Sequence, residues 1–66
     1  MSTWHYSNTT STVVEVSFYI GSGAFVEPGQ RLTFNDWEGG RMRVLNVETR
    51  TILRSGKVKD IAEPGD

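Results

Sequence analysis

The most regular alternation in the chain runs from Val14 to Ile20, where Val14, Val16, Phe18 and Ile20 are separated by Glu15, Ser17 and Tyr19. A period of two over β-branched and aromatic residues predicts a strand with one buried face. Gly21-Ser22-Gly23 ends that strand, and Ala24 to Val26 is a short apolar piece leading into Glu27-Pro28-Gly29-Gln30. Proline presets a negative φ at the second position and glycine accepts a positive one at the third, so the tetrapeptide predicts a type II turn.

Two further extended segments, Arg31 to Trp37 and Arg41 to Val47, flank Gly39-Gly40. A two-residue hairpin turn at the glycines would set Glu38 opposite Arg41, Asp36 opposite Arg43 and Trp37 opposite Met42. Farther along the same register Phe34 meets Leu45, and Leu32 meets Val47. Beyond a bend or bulge between Val47 and Thr51, Glu48 to Arg54 stays extended in character. Ser55-Gly56 reads as another turn, after which Lys57 to Ile61 makes a last short strand with Val58 and Ile61 as its apolar residues; a two-residue loop would put Leu53 opposite Val58. No window of ten or more residues has helical periodicity. The fold class expected is therefore all-β: a small antiparallel meander of about five strands, closed as an SH3-like or OB-like barrel or left as a rolled sheet.

The two ends read differently. Residues 2 to 12 are nearly all Ser, Thr and Asn, interrupted by Trp4, His5 and Tyr6, and such a tract buries too little surface to order itself. The expected organisation is a flexible arm over 1–12, one β domain over 13–61 and a tail over 62–66 that carries Pro64-Gly65.

Composition narrows the function classes. The 66 residues contain 36% hydrophobic and 23% charged positions and no cysteine, so a single small core has to form without disulfides or a thiolate metal site. A core of that size is marginal, which predicts a partner surface, identical or different, that completes it. No apolar run approaches the ~20 residues of a membrane helix, and Ser2 to Thr12 does not read as a signal peptide. The location expected is thus cytoplasmic or within a macromolecular assembly. Asn8-Thr9-Thr10 matches a glycosylation acceptor only by chance on that view.

Catalytic chemistry finds little support. His5 is the single histidine and lies in the expected arm, where a Ser-His-Asp set or a histidine metal cluster could not hold its geometry. Asp36 and Glu38 are better read as surface ion pairs with the arginines opposite them than as a carboxylate pair. Gly21-Ser22-Gly23 and Ser55-Gly56-Lys57 lack the remaining residues of nucleotide-binding loops. No enzyme activity, cofactor, metal or small-molecule substrate is expected.

Charge and aromatics point instead to binding. The formal net charge is −1, yet Arg41, Arg43, Arg50, Arg54, Lys57 and Lys59 lie between positions 41 and 59 with only Glu48 against them. Trp4 and Tyr6 in the arm, with Trp37, Arg41 and Arg43 at the hairpin tip, form the candidate partner-binding set, because aromatic and arginine anchors carry much of the energy at interfaces. Arg50, Arg54, Lys57 and Lys59 form a candidate nucleic-acid-binding set. The leading expectation is a non-catalytic structural or interaction protein, a small accessory subunit of a larger assembly; accessory proteins of virus particles are an analogy of size and composition. The alternatives are a nucleic-acid-binding barrel and an inhibitor of another macromolecule.

Overall fold

A computed structural model describes residues 2–18, 23–36 and 40–65. Seven strands and one helical turn follow in order: β1 (Ser2–Ser7), β2 (Val14–Phe18), β3 (Ala24–Val26), β4 (Arg31–Asp36), β5 (Arg41–Asn46), β6 (Thr51–Lys57), α1 (Val58–Ile61) and β7 (Glu63–Pro64). They build two antiparallel sheets, one ordered β4-β1-β7 and the other β3-β2-β5-β6. The fold is all-β, and neither sheet closes on itself among the described residues.

The strand expected from the Val14 alternation is present, with Val14 and Val16 fully buried and Glu15 and Ser17 on the opposite face. Tyr19, Ile20 and the Gly21-Ser22 part of the following turn lie outside the described residues. The turn at Pro28-Gly29 is also present: Gln30 N–H donates to the Glu27 carbonyl at 3.0 Å, and Gly29 has φ +79°.

The amino-terminal arm is corrected. Ser2–Ser7 is the middle strand of its sheet, paired with β4 from Ser2↔Asp36 to Ser7↔Arg31 and with β7 at Trp4↔Pro64 and His5↔Glu63. Its sequence explains this, because Trp4 and Tyr6 alternate with Thr3, His5 and Ser7 and so give the strand one apolar face. Trp4 meets Phe34 and Tyr6 meets Leu32 across the strands, and all four pack against the core. The polar alternate positions form the outer face, where Thr3 Oγ1 donates to Asn35 Oδ1 at 3.3 Å. The tail is corrected with it, since Glu63–Pro64 pairs with β1 and Gly65 N–H donates to the Thr3 carbonyl at 2.7 Å.

The hairpin expected between β4 and β5 does not form, for the two strands belong to different sheets. Phe34 pairs with Trp4 rather than Leu45, Leu32 with Tyr6 rather than Val47, and Asp36 with Ser2 rather than Arg43. Any two strands with a period-two pattern can be matched on paper; here β4 lies beside β1 and extends its apolar face with Phe34 and Leu32, and β5 lies between two other strands. Trp37, Glu38 and Gly39 fall outside the described residues. The meander is corrected accordingly: β1 reaches over to β4 and β7, and β2 to β5.

The chain reverses after β5. Asn46 Oδ1 accepts from the N–H groups of Glu48 at 2.9 Å and Thr49 at 3.1 Å, its carbonyl accepts from Arg50 N–H at 2.7 Å, and Arg50 adopts φ +60°. A short polar side chain that bonds the backbone just ahead of it favours a turn over continued strand. The returning strand β6 runs through the Ser55-Gly56 pair, where a turn was expected, and pairs with β5 across a bulge between Val44 and Leu45. The last strand expected at Lys57 to Ile61 is likewise a helical turn, closed by Ala62 N–H on the Val58 carbonyl at 2.8 Å. The reason is spacing: Val58, Ile61 and Ala62 stand at i, i+3 and i+4, and one helical turn puts all three on the core.

Val14, Val16, Val26, Met42, Val44, Val58 and Ala62 form the buried cluster between the sheets, with Trp4, Tyr6, Phe18, Leu32, Phe34 and Ile61 partly buried around it. Phe18 of one sheet meets Phe34 of the other with ring centroids 4.8 Å apart at 53°. Asn8 is buried beside this cluster, and its polar atoms are all engaged. Its Nδ2 donates to the carbonyls of Thr12 and Val26, each at 2.8 Å. Its Oδ1 accepts from Thr10 N–H at 2.9 Å and from the Thr10 hydroxyl at 2.6 Å. Its backbone pairs with Gln30 and Gly29. Asn8 is thus a structural joint, and burial keeps it from serving as a glycosylation acceptor in the folded state. No helix among the described residues is long and apolar enough to cross a membrane.

Candidate interaction face

The inner face of the four-stranded sheet is spent on the core, so its outer face is where side chains remain available. Alternation along β5 buries Met42 and Val44 and turns Arg41, Arg43 and Leu45 outward. Pairing then assembles rows across the sheet. One row runs Phe25, Glu15, Leu45, Ile52; the next runs Ser17, Arg43, Ser55; a third places Arg41 beside Lys57. Neighbouring strands lie ~4.8 Å apart and alternate residues on one strand ~6.6 Å apart. Arg41, Arg43 and Lys57 therefore occupy adjoining positions, with the hydroxyls of Ser17 and Ser55 on either side of Arg43. A shallow depression at this end is lined by Ser17, Phe18, Arg41, Met42, Arg43 and Ser55.

Charge on this face is one-sided at that end. Neither β5 nor β6 contains an acidic residue. Glu15 shares the face but leans the other way, toward β3: a Cβ built on Gly23 would stand 2.8 Å from its Oε2. At the opposite end the face is apolar, with Phe25 68% and Ile52 52% exposed. β6 ends the sheet, and Leu53, the extra residue of its bulge, is exposed as well.

The residues expected at a partner surface divide. Arg41 and Arg43 are exposed and lie together. Trp4 and Tyr6 do not join them: both side chains point into the space between the sheets, and Trp4 Nε1 is buried without a hydrogen-bond partner among the described residues. Burial raises the pKa of the Tyr6 hydroxyl, an effect that nearby Arg54 partly opposes. Trp37 lies outside the described residues. Of the four cations expected to bind nucleic acid, only Lys57 joins Arg41 and Arg43. Arg54 pairs with Val44 and so faces the other way, its Nη2 donating to the Asp60 carbonyl at 3.1 Å. Arg50 is in the turn after β5, and Lys59 is on α1.

His5 is held on a strand, which removes the reason first given against its taking part in chemistry. It occupies a row with Thr33 and Glu63, and its Nδ1 lies 3.3 Å from Thr33 Oγ1. That contact is long for a hydrogen bond, and the row lies on the outer face of the three-stranded sheet. Among the described residues no three His, Cys, Asp or Glu side chains gather into a metal-binding group.

Ser17, Ser55, Leu45, Ile52 and Phe25 belong to the face and were not singled out from sequence. The Asn46 turn is the signal that would have found three of them, because it sets β6 against β5. No protein family, characterised protein or solved structure matches the chain.

Proposed function

We propose that the protein is a non-catalytic interaction protein, a small subunit that holds an acidic partner on Arg41, Arg43 and Lys57 and so joins a larger assembly. The observation that carries this reading is the outer face of the four-stranded sheet, left uncovered by the described residues, where three cations and two hydroxyls adjoin half-buried Leu45 and exposed Ile52 and Phe25. Cations of one sign beside exposed apolar side chains suit a partner of opposite charge, the charges guiding approach and the apolar surface holding contact. The core supports the same reading. Its fully buried side chains are Val14, Val16, Val44, Val58 and Asn8, none of them large, so burial against a partner would add appreciably to what holds the fold. A second copy meeting this face with its own would bring the same cations to the contact, so the partner proposed is a different chain.

Titration of isotopically labelled protein with polyglutamate at 50 mM and 200 mM salt tests this. The amide signals of Arg41, Arg43, Ser55 and Lys57 are expected to shift together, and the double substitution R41E/R43E to abolish the response. No shift at 50 mM salt would overturn the reading.

A second reading, nucleic-acid binding, is favoured by the same three cations, which could follow phosphates. Stacking surfaces speak against it, since among the described residues Phe25 is the one aromatic on this face and stands two strands from Arg43. Oligothymidylate in place of polyglutamate separates the two. Tighter binding of the oligonucleotide, fading steeply between the two salt concentrations, would put nucleic acid first.

A further inference from the structure

Strand β6 is seven residues long, stands at the end of its sheet and is exposed at every position except Gly56. The direction of its backbone groups follows from one bond and the register. Val58 N–H donates to the Gly40 carbonyl at 2.9 Å, one step beyond the Arg41↔Lys57 pair. Bonded and non-bonded pairs alternate along an antiparallel ladder. Gly56 and Arg54 therefore bond to Met42 and Val44, while Ser55 turns its N–H and carbonyl, and Lys57 its N–H, away from β5; the Lys57 carbonyl, at the N-cap of α1, is taken up by the first bond of that turn. An edge of this kind is a template for another strand.

The side chains select which strand. Arg54 and Lys57 are three residues apart and project to opposite faces of β6, so any strand laid along the edge meets a cation on each face. Arg43 and Arg41 lie one strand farther in on the outer face, and no acid stands on β5 or β6. A second copy of β6 is a poor occupant, because antiparallel pairing centred on the strand would set Arg54 against Arg54, and the bulge at Leu53 twists the edge. We infer that β6 captures an extended acidic segment of a partner protein by strand addition, with Ser55 and Lys57 supplying the backbone bonds and Lys57, Arg54 and Arg43 the charge selection. Ile52, at the far end of the strand, offers the apolar contact. The inference rests on the acidic-partner reading above and specifies how that partner is held.

The probe is a synthetic eight-residue peptide alternating valine and glutamate, with an N-methylated version of the same sequence as control. Addition of the first peptide is expected to slow amide exchange at Ser55 and Lys57 by at least tenfold while Arg54 and Gly56, already bonded, change little; the N-methylated peptide has no such effect. Ser55→Pro removes an outward N–H without touching the ladder to β5, and Ser55→Ala, which loses the same hydroxyl but keeps the N–H, is its reference: peptide binding is expected to be at least tenfold weaker in Ser55→Pro than in Ser55→Ala, while the polyglutamate response of Arg41, Arg43 and Lys57 is the same in both. If peptide binds but Ser55 and Lys57 exchange at their original rates, or if Ser55→Pro folds and binds peptide as tightly as Ser55→Ala, strand addition is overturned and the acidic-surface reading survives. Loss of both responses in R41E/R43E, with Ser55→Pro affecting only the peptide, supports both. Binding of oligothymidylate in preference to the peptide would overturn strand addition in favour of nucleic acid.

Discussion

The side-chain amide of Asn8 donates to the carbonyl of Val26 at 2.8 Å, so the residue that follows the first strand of one sheet is bonded to the last residue of the third strand, in the other. Six hydrogen bonds converge on this asparagine, from Thr10, Thr12, Val26, Gln30 and Gly29. Asn8→Ala removes the side-chain donor from the Thr12 and Val26 carbonyls and the acceptor from Thr10 N–H, leaving the Thr10 hydroxyl its bond to the Thr12 carbonyl, and a loss of about 3 kcal/mol is expected. For a domain this small that lowers the melting temperature by about 15 °C, measurable by calorimetry. Asn8→Asp should be more damaging at neutral pH than at pH 4, because burial disfavours the charged carboxylate.

Trp4 separates packing from hydrogen bonding. Its ring fills space against the core while its buried Nε1 has no partner among the described residues. Trp4→Ala is expected to cost about 3–4 kcal/mol in urea denaturation. Trp4→Phe keeps most of the apolar contact and removes the unsatisfied donor, and is expected to cost less than about 1 kcal/mol. Deleting residues 2–7 removes a strand that has partners on both sides, and should abolish the dispersed amide spectrum of the folded state.

Tyr6 makes stability depend on alkaline pH. The folded protein holds the phenolic proton more tightly than the unfolded chain does, chiefly because of burial. The contribution is therefore complete below the unfolded pKa of about 10 and is lost as pH rises through the higher folded value. Urea midpoints should fall as pH rises above about 10, and Tyr6→Phe should remove that part of the slope. Arg54→Ala is expected to raise the Tyr6 pKa further, read from phenolate absorbance with Tyr19 replaced by phenylalanine.

The two turns offer opposite tests of the backbone. Gly29 has φ +79° and nothing within 4 Å of a Cβ placed on it, so the cost of Gly29→Ala, about 1 kcal/mol, is conformational alone. Arg50 already occupies the left-handed region at φ +60°. Arg50→Asn should stabilise the fold by about 0.5 kcal/mol, because asparagine adopts that conformation more readily. Chemical denaturation of the two variants checks both directions.

What the sequence disclosed was local. The Val14 to Phe18 alternation and the Pro28-Gly29 turn depend on neighbours within a few residues, and both are present. Partner choice is a different kind of information: β4 has an apolar side and a polar side, but nothing in those six residues says whether β1 or β5 lies alongside. For β1, the period of two was there in Trp4 and Tyr6, and composition hid it, because serine and threonine suit the outer face of a sheet as well as they suit a loop. On the interaction face, Arg41 and Arg43 were legible as a pair since two residues on a strand share a side. Lys57 was grouped with Arg54 because the expected hairpin paired Arg41 and Arg43 with Glu38 and Asp36 and left the remaining cations as free charge; on the continuous strand, three residues put Lys57 and Arg54 on opposite sides.

The bond from Gly65 to Thr3 brings residues near the start and near the finish of the described chain into contact. A fusion before Thr3 and one after Gly65 would leave the molecule at one corner, and a peptide of a few residues would suffice to tie the two into a ring. The sequence could then be reopened at the Pro28-Gly29 turn, giving a rearranged gene whose product keeps every strand in place.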